Sequence, residues 1–238
     1  MRFDILTIFP HALDGLLAVG VIGQGRQAGS IEVRLHDLRD FTDDPHRVVD
    51  DRPYGGGAGM VMKIEPFVRG IEAIRRECGE KTRVVLLSSQ GKLLRHADAV
   101  RWSSLDGLIL LCGRYEGVDE RILAFVDEEI SIGDYVLAGG ETAAAVIVEA
   151  TARLTPGIVG KFDSVASDSF YEEPRLGAPQ YTRPPVFREA AVPDVLLTVD
   201  HAKIEAFREH AGWKKTARNR PDLLGLDPEG ENREANDG

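Results

Sequence analysis

Five short runs rich in leucine and β-branched residues, at 3–9, 31–38, 83–88, 107–112 and 128–132, alternate with segments whose apolar residues recur at helical spacing. No other feature constrains the chain as much, because parallel strands can be joined only through a crossover long enough to hold a helix. The expected fold class is therefore α/β with a parallel sheet, its helices at 11–19, 66–78, 93–100, 119–125 and 141–154. The last of these is alanine-rich and apolar on most faces, which predicts a buried helix, packed within the domain or on another subunit. A chain of 238 residues can bury a core that needs no staples, so Cys78 and Cys112 read as reduced, buried thiols rather than a disulfide framework. No apolar run reaches the roughly 18 residues of a membrane span. The start of the chain goes straight into a strand-like pattern without a leader, and a cytoplasmic protein is expected.

Periodicity disappears between 160 and 185, where Ser, Asp, Gly and Pro dominate. This divides the chain into a large domain at 1–160, a linker at 161–172, a small helical domain at 173–226 and an acidic tail at 227–238 that composition marks as disordered. Within the small domain, a helix is expected from Asp200, placed as its cap, to Gly212, with a second short helix ending near Leu224. A net charge of −10 argues against nucleic acid, since phosphate binding is driven by Lys and Arg. Local distribution tempers that. Between Gly212 and Pro221 stand Lys214, Lys215, Arg218 and Arg220 without an acid, either a phosphate contact or a solvated helix face.

Several motifs fail on context. Gly23-Gln24-Gly25-Arg26-Gln27-Ala28 fits a dinucleotide fingerprint, but only Gly29 and Ser30 separate it from the next strand, leaving no room for a phosphate-binding helix after it. There is no phosphate-loop sequence, and the six histidines show no zinc-ligand spacing. No metal ligand is assigned.

The glycines concentrate in three places. Asp50-Asp51-Arg52-Pro53-Tyr54-Gly55-Gly56-Gly57-Ala58-Gly59 joins a charged, proline-stiffened turn to a run that admits close backbone approach; it is a binding or closing loop, or merely a flexible one. Cys112-Gly113-Arg114-Tyr115-Glu116-Gly117 and Ser131-Ile132-Gly133-Asp134-Tyr135-Val136-Leu137-Ala138-Gly139-Gly140-Glu141 each follow a strand at its carboxyl end, the ligand edge of an open parallel sheet. Carboxylates and tyrosines outnumber bases in both, which suits a ligand carrying positive charge and an aromatic base.

These blocks resemble the bacterial tRNA (guanine-N1)-methyltransferases, members of the SPOUT class of trefoil-knotted methyltransferases. The likeness covers nearly the whole chain: Ile8-Phe9-Pro10, Arg39-Asp40-Phe41-Thr42, the stretch 49–57, the two later glycine loops, Asp168-Ser169-Phe170 and Tyr181-Thr182-Arg183-Pro184. Knots are essentially absent from proteins, yet the resemblance implies one, tied by the two glycine loops and the 86–91 turn around a bent S-adenosylmethionine. It places cofactor contacts at Ser88, Gly113, Tyr115, Glu116, Ile132, Gly133, Asp134, Tyr135, Val136 and Leu137, with Gly139 and Gly140 close by. It further implies a homodimer whose active sites draw on both subunits.

Guanine N1 carries a proton, so methylation there needs a base and a cation to stabilise charge on O6. By resemblance these are Asp168 and Arg153. Without it, Asp168 reads equally as the cap of a helix starting at Ser169, and Arg153 as a complement to the end of the preceding helix. The partner implied is tRNA, not DNA, methylated on the guanosine immediately 3′ of the anticodon and met by Asp50, Arg52, Tyr181, Thr182 and Arg183, with Lys214, Lys215 and Arg218 along its backbone. Two departures stand out: Ser89 replaces a common Pro, and Leu176-Gly177-Ala178 replaces a stretch that commonly carries an acid. The second weakens the Mg2+ role that the family brings.

Overall fold

The computed structural model describes residues 1–159, 168–171 and 173–226. The chain forms two compact units, Met1–Gly160 and Lys161–Gly238. Most of the expected linker and the whole acidic tail lie outside the described residues.

In the first unit, β1 (Arg2–Thr7), β2 (Glu32–Asp37), β5 (Thr82–Leu93), β6 (Gly107–Cys112) and β7 (Glu128–Ser131) form one sheet in the order β2-β1-β6-β5-β7. All four pairings are parallel, as the alternation of elements requires. β3 (Asp50–Asp51) and β4 (Val61–Met62) form a separate antiparallel pair around the first glycine loop. Both faces of the sheet are covered, which explains why the central strands read as continuous apolar runs. Phe3, Ile5, Val85, Leu87, Leu108, Leu110 and Cys112 point to one core; Leu6, Val84, Leu86, Ile109 and Leu111 point to the other.

Helix α3 (Ile64–Arg75) covers the second core with Phe67, Ile71 and Ile74, spaced to fall on one face. On the opposite side α5 (Glu141–Ala152) buries Ala144, Ile147, Val148 and Ala152 completely. Each of the two larger side chains contributes about 1.5–3 kcal/mol by leaving water. Its outer residues Thr142, Val146 and Glu149 are exposed. The helix is thus two-faced rather than apolar all round.

Other expectations shift in detail. The helix expected at 11–19 is a 3-10 turn, Pro10–Leu13, followed by the single turn α1 (Asp14–Leu17). The 119–125 helix is a 3-10 turn, Glu120–Ala124, opened by Asp119 accepting the Arg121 N–H. The region expected to turn helical at Leu93 stays in β5 through that residue, and α4 (His96–Trp102) starts later. The dinucleotide-like segment is itself helical, inside α2 (Gly20–Gln27). A Cβ at Gly23 would lie 2.3 Å from the Ala18 carbonyl oxygen, so this glycine admits the preceding turn, and no helix follows the segment before β2, as expected.

Among the described residues, the buried carboxylates of Asp4, Asp98 and Glu141 are paired. Asp4, 1% exposed, accepts two hydrogen bonds from Arg2 at 2.7 and 2.8 Å and faces His36 Nε2 at 2.7 Å. Burial pushes its carboxyl up, but the hydrogen bonds from His36 and Arg2 outweigh that and hold it below the ordinary value. Both cysteines are free; Cys112 is buried as expected, whereas Cys78 is half-buried.

The second unit holds α6 (His201–Asn219), a 3-10 turn at Pro221–Leu224, and a small antiparallel ribbon, β8 (Val186–Phe187) with β9 (Ala190–Ala191). Asp200 caps α6 by accepting the Lys203 N–H at 3.2 Å. The helix continues through the basic stretch instead of ending at Gly212. Among the described residues, no helix is long and apolar enough to cross a membrane.

Candidate active site

The loops after β6 and β7, together with an excursion at 88–91 within β5, surround a cavity of about 330 Å³, near the lower end of the range for small-molecule sites. Three neighbouring strands deliver these loops to one edge, the position that parallel α/β sheets reserve for ligands.

Its walls are made by glycine packed against backbone. A Cβ at Gly140 would stand 2.8 Å from Cys112 Cα, and one at Gly91 only 2.4 Å from the Ile130 nitrogen. At Gly139 it would meet Arg114 Nε at 2.3 Å. Gly140 N–H donates to the Gly113 carbonyl at 3.0 Å, fixing the two later loops to each other. Tyr115 takes a left-handed backbone at φ 60°, uncommon for a side chain of this size, at the turn of the β6 loop.

Beneath the loops lies a buried ionic network. Glu141, 3% exposed, accepts the Thr7 hydroxyl at 2.6 Å and pairs with Arg114 Nη2 at 2.9 Å. The Arg114 guanidinium also lies 4.6 Å over the Phe9 ring. Removing one partner would leave a buried charge uncompensated, which costs about 3–5 kcal/mol. The network therefore locks β1, the β6 loop and the start of α5 together. With Arg114 neutralised in this way and Asp119 paired with Arg121, Glu116, Glu120 and Glu129 give the lining a negative balance. Desolvation pushes the Cys112 thiol well up, with Glu141 adding to it, so this cysteine is a packing residue and not a nucleophile.

The structure brings together nearly all the residues expected to hold the cofactor. Ser88 lines the cavity from the β5 excursion, Gly113, Tyr115 and Glu116 from the β6 loop, and Ile132, Gly133, Tyr135, Val136, Leu137, Gly139 and Gly140 from the β7 loop. Asp134 is exposed and not part of the lining. Sequence reasoning left out Leu87, Ser89, Gln90, Arg114, Ser131 and Ala138, which also line it. The 88–91 segment had a signal in its Ser-Ser-Gln-Gly composition, but it sits inside an apparent strand. The first glycine loop also reaches the site: the Glu116 N–H donates to the Met60 carbonyl at 3.0 Å, and Met62 bridges Val118.

The remaining expected residues are dispersed. Arg153 caps the carboxyl end of α5 in the first unit. In the second, 168–171 form a turn rather than the helix that Asp168 could have capped, with Ser169 Oγ accepting the Gly177 N–H at 2.9 Å. Asp50 is half-buried in β3 and Arg52 exposed beside it; Tyr181, Thr182 and Arg183 are all exposed. On α6, Lys214 and Arg218 are exposed one turn apart, while Lys215 is half-buried. Among the described residues, no three His, Cys, Asp or Glu side chains come together as a metal site.

The family model described as tRNA (Guanine-1)-methyltransferase TrmD matches residues 1–226, which takes in both units and every loop of the cavity. The chain belongs to this family. Its TrmD-family relatives include the tRNA (guanine-N(1)-)-methyltransferase of Citrifermentans bemidjiense, 48% identical over 94% of this chain and 90% of the relative. The protein of that name from Geotalea uraniireducens is 49% identical, and that from Prochlorococcus marinus 46%, each over 94% of this chain and 90% of its own length.

Proposed function

We infer that this chain transfers a methyl group from S-adenosylmethionine to N1 of the guanosine immediately 3′ of the anticodon, position 37, in tRNA. The observation that carries this reading is the negatively lined, glycine-walled cavity at the strand ends of a TrmD-family chain. Its residues fit the donor: glycines that leave room for close backbone approach, backbone groups able to read an adenine, and carboxylates toward a cationic end. When bound, S-adenosylmethionine supplies an electrophilic methyl on a sulfonium that departs neutral.

This chain's own residues do the rest. Asp168 takes the proton from guanine N1, and Arg153 stabilises the charge that develops on O6. The guanosine is turned out of its stack to reach them. Asp50, Arg52, Tyr181, Thr182 and Arg183 meet the RNA, while Lys214, Lys215 and Arg218 position its backbone. In this reading the first unit is the knotted, donor-binding domain, the 161–172 segment a linker carrying Asp168, and 173–226 a helical tRNA-binding domain. The loops after β6 and β7 and the 88–91 excursion of β5 come from adjacent strands and pack backbone to backbone, which supports a deep knot. The consecutive exposed residues Tyr135, Val136 and Leu137 at the cavity rim, Val136 at 93%, support completion of the site by a second subunit, hence a homodimer. The enzyme works in the cytoplasm, where tRNA is. No step is assigned to Mg2+.

The deciding experiment offers labelled S-adenosylmethionine with two tRNA transcripts differing only in G or A at position 37. Label enters only the G transcript, and Asp168→Ala lowers that rate by about 10²–10⁴-fold, the worth of a positioned base. Labelling of both transcripts, or of neither, defeats the substrate assignment; full activity of Asp168→Ala defeats the assignment of the base.

A further inference from the structure

β5 carries an irregularity that the cavity uses. Leu87 and Lys92 both stand opposite Ile130 of β7, so 88–91 leaves the ladder between them, and Ser88, Ser89 and Gln90 line the cavity. Such a four-residue excursion needs something to fix its shape, because the ladder no longer does.

Three contacts fix it. Ser88 Oγ accepts the Gln90 N–H at 3.0 Å across the turn. Gly91 is wedged against the Glu129–Ile130 backbone, where a Cβ would have 2.4–2.7 Å. At the exit Lys92 Nζ reaches Asp98 at 2.9 Å. Asp98, 4% exposed, belongs to α4 and also accepts the Arg95 N–H at 3.0 Å and Arg101 Nη2 at 3.3 Å. Arg101 and Trp102 of the same helix hold Glu128 of β7 at 2.6 and 3.0 Å. Helix α4 thus grips both strands between which the excursion emerges. Burial pushes the Asp98 carboxyl up, yet the hydrogen bonds from Lys92, Arg95 and Arg101 outweigh it and hold it low, so the charged, bridging form persists.

We propose that Lys92, through its ion pair with Asp98, is a positioning residue that sets the affinity for the methyl donor by fixing the 88–91 turn, although neither residue lines the cavity. The proposal rests on the reading of this cavity as the donor site. Donor binding orders the turn whether or not the clamp is present; with the clamp, that ordering is already done before the ligand arrives.

Lys92 is 67% exposed, so replacing it leaves the core intact. Titrating the full chain with S-adenosylhomocysteine tests the proposal. Lys92→Met weakens binding about 5- to 10-fold, within the range of couplings carried through a neighbouring residue. Lys92→Arg, which retains the pair, stays within about twofold, and KM for the donor rises in Lys92→Met with kcat unchanged. In the ligand-free protein, amide exchange at 89–91 quickens in Lys92→Met and not in Lys92→Arg. Wild-type affinity in Lys92→Met, or unchanged exchange at 89–91, overturns the clamp. Failure of the wild-type chain to bind S-adenosylhomocysteine, with exchange behaving as expected, overturns instead the donor-site reading and the affinity role that depends on it.

Discussion

Two glycine-rich regions of the first unit use the same residue for opposite reasons. In the cavity walls Gly139 and Gly140, and next to them in the β5 excursion Gly91, are glycine because a Cβ would collide with backbone or with the Arg114–Glu141 pair. In the first loop, Gly55, Gly56 and Gly57 have φ of 82°, 77° and 126°, and a Cβ at any of them would meet nothing within 4 Å. The walls need absence of volume; the loop needs freedom of backbone. A rigid cavity beside an open loop suits a site whose small ligand is held tightly and whose large substrate must arrive from outside. Gly59 belongs to both classes, with φ of 86° and the Glu116 carboxylate 2.5 Å from a would-be Cβ.

The contrast can be broken by substitution. Gly140→Ala has the largest expected effect: the methyl group meets the Cys112 main chain, so stability falls by about 1–3 kcal/mol or more. A thermal melt with and without S-adenosylhomocysteine reads both the loss and the absence of ligand stabilisation. Gly59→Ala comes next, because it adds a clash to an unfavourable φ. Glu116→Ala in the same chain removes the clash alone, and partial recovery of the melting temperature then measures how much of the cost was steric. The smallest effect is expected for Gly56→Ala, about 1–2 kcal/mol of left-handed strain confined to an open loop, with binding of S-adenosylhomocysteine unchanged by calorimetry. If Gly56→Ala harms that binding more than Gly140→Ala does, the division between wall and loop is wrong.

Much of the fold could be read from the chain because its information is local. The apolar runs at 107–112 and 83–88 became β6 and the first half of β5, both faces being covered so that no polar alternation interrupts them. Asp200 was legible as a cap because capping is settled within four residues. Local signals misled where tertiary packing had the larger say. Gly23 and Gly25 fit a dinucleotide fingerprint that context already ruled out; why they are glycine came only from packing, since they are helix positions pressed against Ala18 and Ile158. The alanine-rich segment at 141–154 suggested a helix apolar on most faces and buried, yet its outward Thr142, Val146 and Glu149 leave one face exposed.

The site divides along the same line. Glycine, tyrosine and acid at the ends of strands marked the β6 and β7 loops, because ligand edges follow from the direction of parallel strands alone. Nothing local marked Arg114 as Glu141's partner, 27 positions away, or Thr7 as its other partner, 134 positions away. Nor could spacing show that β5 leaves the ladder after Leu87 and rejoins it at Lys92, since both residues answer to the same Ile130 on another strand. The sequence alone determined the parallel α/β class, the glycine loops at the carboxyl ends of two strands and the family likeness, all of which rest on patterns a few residues long; that β5 lies between those two strands came only from the fold. The tertiary structure alone decided which charges are buried together and which glycines lack room, because desolvation and excluded volume depend on neighbours that only folding brings near.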